Sequence, residues 1–273
     1  MVKIKAIDYH LHSNNSFDSK QTISEMCKGA IEKGLGEICF TEHYSILPNE
    51  VSYKYLDYDK FTKEIEECRE TFSGKLSIKK GLEIGEPYLN KEELAKNIEN
   101  MDLDFIIGSV HNIDDLKLRT YMKGKEKDQN YLDYFKEVYK VAKYSDVDVL
   151  GHLDLMKRYA YKDFGNYEFN SYKEIIQEIL KEAIKRGIGI ELNTSGFRND
   201  VGEPYPSIDI LKMYKNLGGE ILTIGSDSHS IDFIGENFHD GVDILKSIGF
   251  KYIFKYEKRR PQGIEIKGRE SFR

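Results

Sequence analysis

Apolar residues in this chain fall into short runs separated by stretches with helical spacing. The runs at 4–9, 37–41, 77–84, 105–110, 147–150, 188–192 and 221–224 read as strands, several of them β-branched and nearly continuous in apolar character. That is the pattern of strands buried on both faces. Between them, Thr22-Ile23-Ser24-Glu25 reads as a capping box opening a helix that stops before Gly34. Further helices are predicted at 57–72, from Asn90 with Glu93, and at 130–144, 170–186, 207–217 and 238–248, several of them ended by glycine. Seven βα units in this length predict a parallel sheet closed into a barrel, with a doubly wound open sheet as the alternative. The connections 44–55 and 113–129 read as loops beside the barrel mouth. The segment 255–273 reads as a last strand followed by a tail. With no composition break, residues 1–273 are expected to form a single domain.

Composition narrows the function classes. Among 273 residues, 41 basic and 47 acidic side chains leave a net charge of −6, which argues against a nucleic-acid partner. No run approaches the roughly 18 apolar residues of a membrane span, so no membrane partner is expected. The first residues lack the apolar core of a signal peptide. Cys27, Cys39 and Cys68 have neither disulfide nor thiolate-metal spacing, which suits a reducing cytoplasm.

The histidines carry the chemistry. Six of the seven end predicted strands: His10 and His12 the first, His43 the second, His111 the fourth, His152 the fifth and His229 the seventh. Glu83 ends the third strand and Asp227 stands beside His229. In a parallel barrel these ends converge on one face, where active sites are built. Residues two apart on a strand share a face, so one ion can take both imidazoles of His10-Leu11-His12. Imidazoles and carboxylates without thiolate suit Zn, Fe or Mn rather than Mg or Ca. The ligands outnumber what one ion accepts, so the site is expected to be polynuclear. His239, within a predicted helix, is expected to stay outside it.

These residues, in this order along the whole chain, resemble the PHP (polymerase and histidinol phosphatase) family. The resemblance implies a distorted, TIM-like (β/α)7 barrel holding three divalent metal ions. It implies that His10, His12, Glu83 and Asp227 hold the first, that Glu83 bridges to a second on His111 and His152, and that Asp18, His43 and His229 hold the third. Many members have histidine where this chain has Asp18. Glu86 competes with Glu83 and is set aside because Glu83 follows Gly81 at the strand end, as in the family.

Within the family, the segments 151–158 and 191–198 look like the histidinol-phosphate phosphatase branch. The resemblance then implies that Arg158 and Arg198 contact the phosphate, as planar guanidiniums suit. The expected substrate is a small phosphate ester. Its hydrolysis is intrinsically very slow, and metals can activate water, hold phosphoryl oxygens and neutralise the leaving alkoxide. Glu83, Asp227 and His229 form the expected catalytic centre. The proton donor to the leaving alcohol stays open between Asp227, a histidine and water. Asp8, Glu42 and Asp154 are expected to orient the imidazoles. The alternatives are another small phosphomonoester, a nucleotide or phosphotyrosine-protein substrate, a non-catalytic scaffold, and, more distantly, an amidohydrolase.

Overall fold

The computed structural model describes residues 5–266. Expectations for 1–4 and for the end of the tail, 267–273, lie outside the described residues. The elements in chain order are β1 (Ala6–Leu11), α1 (Ile23–Glu32), β2 (Leu35–Tyr44), α2 (Tyr58–Thr71), β3 (Ser77–Gly85), α3 (Lys91–Ile98), β4 (Phe105–Ser109), β5 (Asn112–Ile113), β6 (Leu116–Lys117), α4 (Leu118–Tyr121) and α5 (Lys127–Tyr144). Then follow β7 (Val149–Leu150), α6 (Met156–Phe164), α7 (Phe169–Arg186), β8 (Gly189–Asn193), α8 (Ile208–Asn216), β9 (Leu222–Gly225), α9 (Phe238–Ile248), β10 (Tyr252–Glu257) and β11 (Arg260–Glu265).

Seven parallel strands pair in the order β1-β2-β3-β4-β7-β8-β9. That order follows the chain with no reversal, so the doubly wound alternative, which needs a switch point, is excluded. The barrel nearly closes. At the seam, His12 N–H donates to Ser228 O at 2.9 Å and Ser228 N–H to His10 O at 3.3 Å. The Asp8 carboxylate completes the seam by accepting from Ser226 N (2.8 Å), Ser226 Oγ (2.5 Å) and Gly235 N (2.7 Å). Burial nevertheless pushes the Asp8 carboxyl up to about 6.

Local chemistry accounts for most boundaries. Thr22 and Glu25 form the capping box reciprocally, and Gly187 ends α7 at a φ of 72°. Three expectations need correction. Asn90 does not cap α3 with its side chain: it lies in the left-handed region at a φ of 49°. The 113–129 connection is not a plain loop. It holds the β5–β6 hairpin, α4 and the start of α5, because Leu118, Tyr121 and Met122 recur at helical spacing and bury. Helix α6 follows β7 where no helix was predicted, and buries Met156, Lys157 and Ala160.

Two features set the site's geometry. Between Asp8 and Leu11, β1 carries an extra residue relative to β2, whose partners are Ile38 and Phe40. Such a bulge re-aims side chains. Thus the consecutive residues Tyr9 and His10 both reach across the barrel, Tyr9 to Phe105 on β4 and His10 to Glu191 on β8. The second feature is the β10–β11 hairpin, which packs against the barrel end opposite the mouth. Tyr256 N–H donates to Tyr9 Oη (2.9 Å), and Tyr9 donates to Glu37 Oε1 (2.5 Å). In the hairpin turn, Arg259 Nε reaches both Asp148 oxygens at 3.3 Å, and its terminal nitrogens reach Asp146 at 3.0 Å. Arg259→Ala leaves the buried Asp148 short of its charged partner and is expected to cost about 2 kcal/mol, measured as a lower urea midpoint at unchanged slope.

Candidate metal centre

All nine sequence-predicted ligands meet at the C-terminal ends of the strands, around Glu83. Its side chain is 1 % exposed. Glu83 Oε2 faces His10 Nε2 (3.3 Å), His12 Nε2 (3.5 Å) and His43 Nδ1 (3.0 Å). Its Oε1 faces His111 Nε2 (3.2 Å) and His152 Nε2 (2.8 Å), and accepts from Ser109 Oγ (2.7 Å). Asp227 Oδ1 lies 3.7 Å from His10 Nε2, 3.6 Å from His12 Nε2 and 3.6 Å from His229 Nδ1. Asp18 Oδ2 lies between His43 Nε2 (3.3 Å) and His229 Nε2 (3.2 Å). Glu86 does something else: buried, it accepts from the backbone N–H groups of His111 and Asn112 and anchors that loop. His239 is exposed on α9.

The backbone is bent to build this cluster. Asp227 holds a φ of +53°, a conformation that aspartate tolerates better than most residues but that still carries strain. Gly225 lies where a Cβ would come within 2.4 Å of both Glu191 Oε1 and the His10 side chain, so only glycine fits.

The imidazole-orienting group differs from expectation. Asp8, Glu42 and Asp154 touch no imidazole. Asp8 serves the seam, Glu42 accepts from Ser13 and Ser16, and Asp154 pairs with Lys157 (3.0 Å) and Tyr167 (2.8 Å). Glu42 acts only through Ser16, whose Oγ lies 3.2 Å from His12 Nδ1. The direct carboxylate is Glu191 on β8. Its Oε1 holds His10 Nδ1 at 2.6 Å and its Oε2 accepts from His152 N–H at 2.8 Å. Its place at a strand end inside the 191–198 segment was the available signal.

The cluster suits divalent ions. His10 Nε2 and His12 Nε2 are buried without a hydrogen-bond partner, although each faces carboxylate oxygens. Glu191 fixes His10 through Nδ1, which turns the other nitrogen to the centre, as metal-ligating histidines require. Four overlapping groups could each hold an ion: His10-His12-Glu83, His10-His152-Asp227, Glu83-His111-His152 and His12-His43-His229. Electrostatics agree. Burial raises the Glu83 carboxyl, but His10, His111 and His43 outweigh it and hold it well below the usual range. Burial lowers His43, but Glu83 and Asp18 lift it to about 10. Burial, with His229 and His43 nearby, drops His12 to about 3.

Beside the cluster lies a cleft of about 820 Å³ lined by Asp18, His43, His111, Arg158, Arg198 and Asp227, among others. Arg158 is exposed on the first turn of α6. Arg198 ends a 3-10 turn after β8, donating to Ser226 O (2.9 Å) and Glu236 (3.2 Å). Both guanidiniums thus border the space in front of the imidazoles.

A PHP-domain model matches residues 8–195, more than half of the chain. The chain is 32 % identical to a histidinol-phosphatase of Lactococcus lactis, over 90 % of this chain and 93 % of that protein. It is 34 % identical to a "Probable histidinol-phosphatase" of Clostridium acetobutylicum, over 92 % and 97 %. The crystal structure of the Lactococcus lactis histidinol phosphate phosphatase, complexed with zinc, L-histidinol and phosphate, superposes with a TM-score of 0.88 at 30 % identity, covering 95 % of this chain and all of that one.

Two predictions follow from the cluster itself. Glu191→Gln removes the charge that fixes His10 and is expected to weaken divalent-metal binding by about 10–100-fold, read by zinc titration of the chelated protein. The second concerns pH. A group raised like His43 keeps its proton up to about 10 in the metal-free protein. A metal must displace that proton, so metal binding should release protons and weaken as pH falls from 8 to 6. Calorimetric titration in buffers of different ionisation enthalpy measures both effects. With nine histidine and acidic side chains converging at its strand ends and matched along almost its whole length, the chain belongs to the PHP-domain family, in its histidinol-phosphatase branch.

Proposed function

We propose that this chain hydrolyses L-histidinol phosphate to L-histidinol and phosphate, serving histidine biosynthesis. The observation that carries the reading is one cleft that joins the imidazole–carboxylate cluster to two arginines, in a chain closely related to histidinol-phosphatases. In this reading the cluster holds three divalent ions, zinc, iron or manganese. His10, His12, Glu83 and Asp227 hold the first, Glu83, His111 and His152 the second, and Asp18, His43 and His229 the third. The two oxygens of Glu83 face different imidazole sets, which supports a bridging role. Bound there, divalent ions supply Lewis acidity and a lowered water pKa.

The chain's own residues then do the positioning. Arg158 and Arg198 present planar forks to the phosphate oxygens. Arg198 is preset by its bonds to Ser226 O and Glu236, so little freedom is lost when substrate binds. Asp227 faces both the cluster and the cleft, and the proton for the leaving alcohol comes from Asp227, a histidine or water. His229 and Glu83 complete the catalytic group. The partner is a small phosphate ester. The net charge of −6 disfavours nucleic acid. Among the described residues no helix is long and apolar enough to cross a membrane. Free, buried Cys27, Cys39 and Cys68 suit a cytoplasmic setting.

The test is phosphate release by the metal-loaded protein from histidinol phosphate and from a panel of other phosphomonoesters. A kcat/KM for histidinol phosphate well above the rest, lost on chelation and lowered at least about 100-fold in His229→Ala, is expected. Equal, slow turnover of every ester would overturn the substrate assignment.

A further inference from the structure

The cleft is polar at one end and differently built at the other. Arg119, Arg158 and Arg198 gather on the side of α4, α6 and the turn after β8. Arg119 and Arg158 both lie over the Tyr159 ring, at 5.6 and 5.9 Å. A second set of lining residues comes from the turn after β1 and the connection after β2. It contributes Phe17, Glu50, Val51 and Ser52.

Two observations bear on this second set. First, four acids line the cleft as a whole, Asp18 and Glu50 from this set, Glu83 from β3 and Asp227 after β9. Asp18, Glu83 and Asp227 face imidazoles. The Glu50 carboxylate has no hydrogen-bond or ion-pair partner among the described residues. Its backbone is held, accepting from Tyr53 N–H (3.1 Å) and donating to Leu47 O (3.0 Å), while the loop base is pinned by a Ser45–Tyr53 bridge. Second, large apolar side chains stay exposed around it. Phe17 is 36 % exposed, Val51 49 % and Tyr55 47 %. Phe17 stacks on His43 at 5.2 Å and meets Tyr55 edge-on at 6.3 Å. Exposed apolar surface beside a site marks a binding surface, and a free carboxylate in a cleft that aromatic rings also line suits a cationic, ring-bearing group.

We propose that Glu50, backed by Phe17 and Val51, is the specificity-determining residue of this cleft, selecting phosphomonoesters whose alcohol portion carries a positive charge. In this arrangement the phosphate end lies towards the arginines and the cationic end against Glu50. The inference rests on the reading of this site as a phosphomonoesterase and deepens it: the amine and imidazole of the leaving alcohol are what Glu50 recognises.

The experiment compares kcat/KM for 4-aminobutyl phosphate and n-butyl phosphate, with histidinol phosphate alongside, in the metal-loaded wild type, Glu50→Gln and Glu50→Lys. The wild type is expected to favour the aminoalkyl ester by about tenfold, the scale of one charge-assisted hydrogen bond. In Glu50→Gln the ratio should fall to about one, mainly through the KM of the cationic ester, and in Glu50→Lys it should invert. A merely structural defect would lower both esters together and leave the ratio intact. No preference in the wild type, or a preference that survives Glu50→Gln, overturns the proposal. If the cationic preference exists and depends on Glu50 while histidinol phosphate is a poor substrate, the Glu50 assignment stands and the histidinol phosphate reading fails.

Discussion

The carboxylate of Glu83, withdrawn almost entirely from water and ringed by five imidazoles, is the constraint on which the rest of this molecule depends. An ionised carboxylate in such a place would be strongly unfavourable unless positive charge surrounded it. His10, His43 and His111, raised by the carboxylates beside them, supply that charge as protons in the metal-free protein, and bound metals would supply it in their place. Glu191 belongs to the same logic. It stands one layer out, fixes the ring of His10 and ties down the backbone of His152, so two strand ends share one anchor.

A cluster this dense needs a scaffold that does not yield. The strands delivering it are uneven, β2 and β3 ten and nine residues long but β7 only two, so part of the stiffness comes from elsewhere. The Asp8 carboxylate bridges the seam between β1 and the end of β9, and the β10–β11 hairpin closes the far end through Tyr256 and Arg259. The bulge in β1 lets neighbouring residues serve both ends of the barrel: Tyr9 holds the hairpin and His10 enters the site. Stability and function therefore meet in two successive residues.

The cleft inherits its polarity from the same plan. Elements following β4, β7 and β8 bring Arg119, Arg158 and Arg198, and those following β1 and β2 bring Phe17, Asp18, Glu50 and Val51. An ester with an anionic end and a cationic end would bind such a cleft with its phosphate towards the arginines.

Much of this was legible in the residues alone. Several of the strands buried on both faces appear as nearly continuous apolar runs between helical stretches, so all seven could be placed, and a chain-ordered parallel barrel brings their C-terminal ends together. His10, His12, His43, Glu83, His111, His152, Asp227 and His229 could thus be grouped without a contact being known. Other features depended on the three-dimensional path. Helix α6 was hidden because its register is set by burial of Met156 and Ala160 and by the Asp154–Lys157 pair, not by a cap. Asp8, Glu42 and Asp154 sit next to ligands in sequence yet turn to the seam and to surrounding loops, whereas Glu191, 181 residues from His10, holds its ring. Sequence alone determined which residues sit at strand ends, because periodicity is local. Which carboxylate meets which imidazole, and which wall of the cleft is left with a free charge, was decided by the closure of the barrel, because side-chain pairing across strands depends on register, bulge and twist.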